Sequence, residues 1–277
     1  MPISPADKRA QFRRLHEQGC FILPNPWDVG SARWLERLGF AALASTSSGS
    51  AWAHGRPDGG LSLDEALDHL TELASAVEVP LNADFMSGFA ADAEGVGRNV
   101  ALAVATGVAG LSIEDSTGDP ARPLFEQEEA VDRLRAARCA IDSSGPGVVL
   151  TGRSEGFLVG RPDLKATIAR LVAYAEAGAD CLYAPGVNGP AEVAAIVEAV
   201  APKPVNVLVG APGPTVKALA EAGARRISIG GALARAAYGA MDRAAREMLE
   251  QGTFGGLAGG LPFAALDGAF RTDDRTG

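Results

Sequence analysis

Acidic, amide, hydroxyl and guanidinium side chains recur at the ends of short apolar runs in this sequence, where a parallel sheet would present them to a ligand. Asn82-Ala83-Asp84 ends one run, Ile113-Glu114-Asp115 another and Gly152-Arg153 a third, while Asn206 lies within a fourth. Ser45-Thr46-Ser47-Ser48-Gly49 follows a further run, with Asp58 downstream in Arg56-Pro57-Asp58-Gly59-Gly60. Asp84 and Glu114 supply hard carboxylate oxygens and Asp58 can reach the same space, a donor set suited to octahedral Mg²⁺, or Mn²⁺, with retained waters. Asp58 by itself reads first as an Asp-Gly turn, and Asp84 has a second reading as a cap for the segment that follows. Arg153, a guanidinium among acids, suits a bidentate pair with a substrate carboxylate, or an internal ion pair with Glu155 or Glu114. The hydroxyls and N–H groups of Ser45, Thr46 and Ser47 suit a carboxylate or oxyanion, and also an ordinary Ser/Thr loop. Trp27 is placed either to line a pocket or to pack at a helix start. His54 reads as a proton carrier or as a solvated loop residue.

These residues need elements to position them. Short aliphatic runs alternate with helical patterns about eight times, the pattern of a parallel sheet with crossover helices. The expected strands are Cys20 to Pro24, Phe40 to Ser45, Pro80 to Asp84, Ala109 to Glu114, Gly147 to Thr151, Ala179 to Ala184, Pro204 to Leu208 and Arg225 to Ile229. Eight such units predict an α/β fold, a (β/α)8 barrel of the TIM type whose site lies at the C-terminal ends of the strands. Asp28 is placed to cap the helix through Ala32 to Leu38, and Ser62 with Glu65 forms a capping box. Gly39, Gly107, Gly178 and Gly223 each mark a helix end before a strand. An initial helix around Ala6 to Gln18 and a tail after Gly252 stand outside the repeat. Residues 1–252 are therefore expected to form one barrel domain. The tail, 253–277, is too short for a core of its own and suits a flexible or partner-draped segment.

Bulk properties narrow the partners. The chain has 277 residues, 47% hydrophobic and 21% charged, which suits one ordinary globular domain with a large core. Its net charge of -9 argues against nucleic acid or an anionic membrane, either of which needs a basic surface. Cys20, Cys139 and Cys181, odd in number and far apart, read as buried core thiols in a reducing compartment. No run of ~20 apolar residues and no signal-peptide pattern is present, so a cytoplasmic location is expected.

Pro24-Asn25-Pro26-Trp27-Asp28, the Ser45 to Gly60 segment, Asn82-Ala83-Asp84, Ile113-Glu114-Asp115 and Gly152-Arg153, in order across residues 15 to 250, resemble the phosphoenolpyruvate mutase/isocitrate lyase superfamily. Ala232-Leu233-Ala234-Arg235-Ala236-Ala237-Tyr238 in the last helix adds to the match. The resemblance implies a Mg²⁺-dependent enzyme that makes or breaks a C–C or P–C bond beside an α-oxycarboxylate, through an enolate-like species on the metal. It implies Asp58, Asp84 and Glu114 as the metal shell, partly through waters, with Asp58 and Arg153 the catalytic pair. It further implies Ser45, Thr46, Ser47, Asn82, Arg153 and Asn206 as substrate-binding residues, with Trp27 beside them. A homo-oligomer, dimer or tetramer, whose last helix packs on a neighbouring subunit is also implied.

Departures from the family pattern narrow the reaction. The family's Asp-Ala-Asp reads Asn82-Ala83-Asp84 here, replacing one anionic ligand with an amide. The loop after the fourth strand, Ser116-Thr117-Gly118-Asp119-Pro120-Ala121-Arg122-Pro123, lacks the Lys-Lys-Cys-Gly-His of the isocitrate lyases and the Lys and Asn of the mutase and phosphonate-hydrolase branch. The remaining likeness is to the short-loop branch, which includes lyases of substituted malates and an oxaloacetate decarboxylase. The expected activity is a Mg²⁺-dependent lyase or decarboxylase of a small 2-oxo or 2-hydroxy di-acid. Two alternatives stand beside it: a phosphosugar isomerase or aldolase barrel, suggested by Gly210-Ala211-Pro212-Gly213 and Gly230-Gly231, and a non-catalytic 2-oxo acid binder, suggested by the loop without an acid or base.

Overall fold

The computed structural model describes residues 3–271. After helix α1 (Pro5–Leu15) the chain alternates strand and helix through β1 (Phe21–Leu23), α2 (Val29–Arg37), β2 (Leu43–Ala44), α3 (Ser47–Ala53), α4 (Leu63–Ala76), β3 (Leu81–Asp84) and α5 (Ala93–Ala105). It continues through β4 (Gly110–Glu114), α6 (Gln127–Ser144), β5 (Val149–Arg153), α7 (Leu164–Glu176), β6 (Cys181–Tyr183), α8 (Pro190–Val200), β7 (Val205–Leu208), α9 (Val216–Glu221), β8 (Arg226–Ser228) and α10 (Ala232–Gln251). A short 3-10 helix (Gly255–Gly259) and α11 (Phe263–Ala269) follow.

All pairings in the eight-stranded sheet are parallel, in the order β1-β8-β7-β6-β5-β4-β3-β2. The remaining seam is bridged where Ala44 N–H donates to Pro24 O at 3.0 Å, so the sheet curls into the expected (β/α)8 barrel. Each strand falls within or beside its predicted run, with β5 carried on to Arg153. The helix starts also follow the sequence. Asp28 accepts from Ser31 N at 2.7 Å, and Ser62 and Glu65 satisfy each other's backbone N–H groups. Gly178 and Gly223 close helices with φ of 103° and 91°, a left-handed turn that favours glycine.

The main core lies between strands and helices, and a second cluster fills the bottom of the barrel: Phe12, Leu23, Ala42, Ala44, Ala109, Val149 and Cys181. Phe12 on α1 is fully buried there, edge-on to His16, worth about 2 kcal/mol of burial. α1 thus plugs the N-terminal end, leaving the C-terminal end for a site. Above the plug the interior turns polar, with Asn82, Thr151, Asn206 and Arg226 all buried where such barrels ordinarily carry branched aliphatics.

One expectation is corrected here. Cys181 is buried and Cys20 half-buried, but Cys139 is exposed, because its position on α6 turns away from the barrel. The tail carries two short helices that bury none of their residues. It contains the 3-10 helix and α11, with Phe254, Leu257 and Phe263 exposed; residues 272–277 of it lie outside the described residues. Among the described residues no helix is long and apolar enough to cross a membrane.

Candidate active site

The strand ends bring acids and one guanidinium together. Arg153, the last residue of β5, places Nη1 3.1 Å from Asp84 Oδ1 and 3.3 Å from Glu114 Oε2, and its Nε donates to Glu155. Parallel pairing dictates this, since Glu114 and Arg153 are register partners across β4 and β5. All four side chains are largely buried. Burial pushes the Glu114 carboxyl up to about 8; Arg153 opposes this, while Glu155, Asp84 and Asp115 add to it. Burial likewise raises Glu155 against the pull of Arg153. Desolvation works against the charge on Arg153, but Glu114, Glu155 and Asp84 hold its pKa well above the ordinary arginine value. Of the two sequence readings of Arg153, the internal ion pair is present, with Asp84 as a third partner. Among the described residues Nε and Nη1 carry these contacts, and Arg153 also lines the cavity.

The Ser45 to Ser48 segment is the start of α3 rather than a loop. Thr46 is the helix N-cap, accepting from Gly49 N at 3.4 Å, because its hydroxyl can satisfy an orphan N–H of the first turn. Ser47 N–H donates to Asp84 Oδ2 at 3.0 Å and Asp84 N–H donates to Ser45 Oγ at 2.9 Å, tying β2 to the end of β3. Gly49 is forced by close packing: a Cβ there would lie 2.7 Å from Thr46 Cγ2 and 2.9 Å from Trp27 Cβ.

A supporting layer fixes Glu155. Asp115, fully buried, accepts from Glu155 N at 2.7 Å, Tyr174 Oη at 2.6 Å and Arg170 Nη1 at 3.1 Å. Burial, with the Asp115 charge, raises the Tyr174 phenol far above its usual range, so it remains a donor.

Above the polar interior is a cavity of about 190 Å³. Of the residues singled out in the sequence, Ser45, Thr46, Ser47, Asp58, Asn82, Asp84, Arg153 and Asn206 line it. Trp27 and Glu114 do not: Trp27 packs on Gly49 at the start of α2, and Glu114 sits behind Arg153. His54 is exposed at the C-cap of α3, its Nδ1 2.9 Å from Ser50 O. Asp58 is also exposed, and its Oδ1 accepts from Gly59 N–H in the expected Asp-Gly turn. Asp58, Asp84 and Glu114 do not converge on a common point; among the described residues no group of three His, Cys, Asp or Glu side chains has a metal-binding arrangement. Asn82 Oδ1 is buried with no hydrogen-bond partner, a polar atom left facing the interior.

The cavity also contains residues the sequence reading passed over. Tyr183 stacks its ring 5.3 Å from Arg153 Cζ, and burial pushes its phenol up to about 12. Ser112, Ser228 and Arg226 project inward from β4 and β8. Asn25, in the Pro-Asn-Pro-Trp segment, donates to Ser45 O at 2.8 Å and accepts from Ile229 N and Gly230 N, joining the first, second and last strand ends. Inward orientation on a fully buried strand leaves no period-two signal in sequence, and only the Asn25 segment carried a clue.

A sequence profile of the phosphoenolpyruvate phosphomutase family matches residues 12–249. The chain belongs to this family. A crystal structure from Burkholderia cenocepacia J2315 is 44% identical, with a TM-score of 0.93 over 96% of this chain and 97% of that one. Oxaloacetate decarboxylase of Pseudomonas aeruginosa is 32% identical over 199 residues, 69% of this chain and 67% of that protein. Oxaloacetate acetylhydrolase, solved with the product oxalate, shares 26% identity and a TM-score of 0.86 over 99% of this chain and 96% of that one. Gly230 and Gly231 line the cavity and Gly210 to Gly213 do not; membership in the phosphoenolpyruvate mutase/isocitrate lyase superfamily replaces the phosphosugar aldolase alternative.

Proposed function

We propose that this chain is a divalent-metal-dependent carbon–carbon lyase or decarboxylase of a small 2-oxo or 2-hydroxy dicarboxylate. The observation that carries the reading is one cavity in which Asp84 and Arg153 face the N-terminal turn of α3. The kinship to an oxaloacetate decarboxylase supports it.

The chemistry of the donors, hard carboxylate oxygens, suits a divalent ion, although Asp58, Asp84 and Glu114 stand apart in this structure. Asp84, Glu114 and Glu155 place three carboxyl groups on the single guanidinium of Arg153, and the raised pKa of Glu114 and Glu155 marks a crowding of acids that a bound cation would relieve. Asp84 would hold the ion directly, with Asp58 and Glu114 acting through water. Mg²⁺, or Mn²⁺, when bound supplies Lewis-acid charge for the oxygen on which negative charge develops. The chain's own groups do the rest. Ser45, Thr46 and Ser47 meet the substrate carboxylate through their hydroxyls at the start of α3, the N–H groups of Ser45 and Ser47 being held by Asn82 O and Asp84. Arg153 offers Nη2 to the 2-oxygen. Asn82 and Asn206 orient the acid, and Tyr183, still protonated near neutral pH, delivers a proton to the carbon released by cleavage.

The test is turnover of oxaloacetate, substituted malates and isocitrates by the purified chain with and without EDTA. Metal-dependent cleavage of one of them is the expected result. Tight 2-oxo acid binding without turnover of any acid would favour the non-catalytic binder instead. We also read the chain as a cytoplasmic homo-oligomer, dimer or tetramer. Support comes from the exposed Met241 and Leu249 of α10 with Phe254 and Phe263 beyond it. Light scattering at micromolar concentration gives the subunit count, and a monomer would refute the assembly.

A further inference from the structure

Beneath the acids lies a second buried guanidinium with the opposite electrostatics. Arg226 on β8 is 2% exposed. Its Nε donates to Asn206 Oδ1 at 2.8 Å, its Nη2 to Thr151 Oγ1 at 3.0 Å, and its Nη1 lies 3.3 Å from His16 Nε2. All three partners are neutral. His16 has Nδ1 2.7 Å from Phe12 O, an arrangement that makes Nδ1 the donor and Nε2 the acceptor for Arg226. No carboxylate approaches: the buried ion pairs of this interior belong to Arg153 and Arg170, and Arg226 forms none among the described residues.

A buried charge without a counter-charge is expensive, and native structures keep one where something else supplies the balance. A guanidinium carries five N–H donors. The three neutral acceptors fix its plane and occupy one donor on each nitrogen, and the side chain still lines the cavity. Arg153, by contrast, has three carboxylates and no positive charge to spare.

We infer that Arg226 is a substrate-binding residue, the fixed cation on the cavity floor that receives the carboxylate which the N-terminal turn of α3 does not hold. His16, Asn206 and Thr151 are its positioning residues. This rests on the reading of the cavity as a dicarboxylate site.

The experiment is calorimetric titration of the full chain in chloride-free buffer containing Mg²⁺, with malate and lactate, which share a 2-hydroxy acid head and differ by one carboxylate. Wild type is expected to bind malate at least about ten-fold more tightly than lactate, the value of one charge-assisted contact. Arg226→Met removes the cation, and Asn206→Asp gives it an internal counter-charge at nearly unchanged volume. Each is expected to weaken malate at least about ten-fold more than it weakens lactate. Asn206→Asp decides the matter alone if Arg226→Met does not fold. Wild-type malate affinity in a folded variant, or equal loss of both probes, overturns the assignment. So does a wild type that does not prefer malate, or one whose malate binding is abolished by millimolar chloride, which would mark an inorganic anion site only. The turnover screen judges the lyase reading separately, since cleavage by wild type and variants alike would retain that reading and discard Arg226.

Discussion

Arg153 and Arg226 lie in the same barrel interior, both deeply buried, and their surroundings are opposites. Arg153 is enclosed by Asp84, Glu114 and Glu155. Among the described residues Arg226 meets an amide, a hydroxyl and an imidazole and no carboxylate. One end of the cavity thus crowds acids, with Glu114 and Glu155 driven toward their protonated forms, while its floor holds a positive charge with no acid beside it among the described residues. A metal cation at the first and a substrate anion at the second would balance both. On this reading the ligand, and not the chain, would complete the electrostatics of the barrel.

The largest effect should come from the overcompensated end. Arg153→Met leaves three carboxylates without their guanidinium, and chemical denaturation is expected to show a loss of about 3–5 kcal/mol, with turnover falling below detection. Stability close to wild type would mean that the acids protonate at little cost and the contrast is weaker than drawn.

The next effect belongs to His16. Its pKa is pushed down to about 3, by burial first and then by Arg226, with Arg13 and Arg225 contributing and the hydrogen bond to Phe12 opposing. The unfolded chain takes up the His16 proton near pH 6.5 and the folded chain only near 3, so the neutral ring's contribution is complete above 6.5 and is lost as pH falls toward 3. Thermal melts between pH 6.5 and 4 should show a fall of up to about 1.4 kcal/mol per unit from this residue, and His16→Gln should flatten it. An unchanged slope in the variant would show that His16 is not the neutral acceptor of Arg226.

A paired substitution sharpens the comparison. Asn206→Asp adds a carboxylate beside the uncompensated Arg226 and is expected to raise the melting midpoint by about 2–4 °C. Asn82→Asp adds one beside the acid-rich end and should lower the midpoint by about the same amount in EDTA, with Mg²⁺ restoring it. Shifts of the same sign would erase the distinction between wall and floor. The smallest effect is Tyr174→Phe, which removes one hydrogen bond from Asp115 behind Glu155. A loss of about 1 kcal/mol in urea unfolding is expected, with KM unchanged and a modest drop in kcat.

Much of this molecule was legible along the chain. The eight βα units, the Asp28 and Ser62 caps and the glycines at helix ends follow from interactions within a few residues, which sequence spacing reports directly. Asp84, Arg153 and the Ser45 to Ser47 run were found because strand ends in a parallel barrel face one space. The sequence could not say that Ser47 begins a helix whose N–H meets Asp84, since that contact spans 37 residues. Nor could it show that Trp27 packs outside the cavity while Asn25 joins three strand ends. Cys139, read as core, faces solvent because the rotation of a helix about its own axis is fixed by its neighbours.

By itself the sequence determined which residue types stand at each strand end, and with them the barrel, the family and the chemistry of hard oxygens around a guanidinium. Tertiary structure decided how charge is shared. Parallel register set Arg153 against Glu114, and closure of the barrel brought His16, Thr151, Asn206 and Arg226 together from four distant segments. A buried charge is defined by what surrounds it in three dimensions, so the two arginines look alike in sequence and become opposites only when the barrel closes.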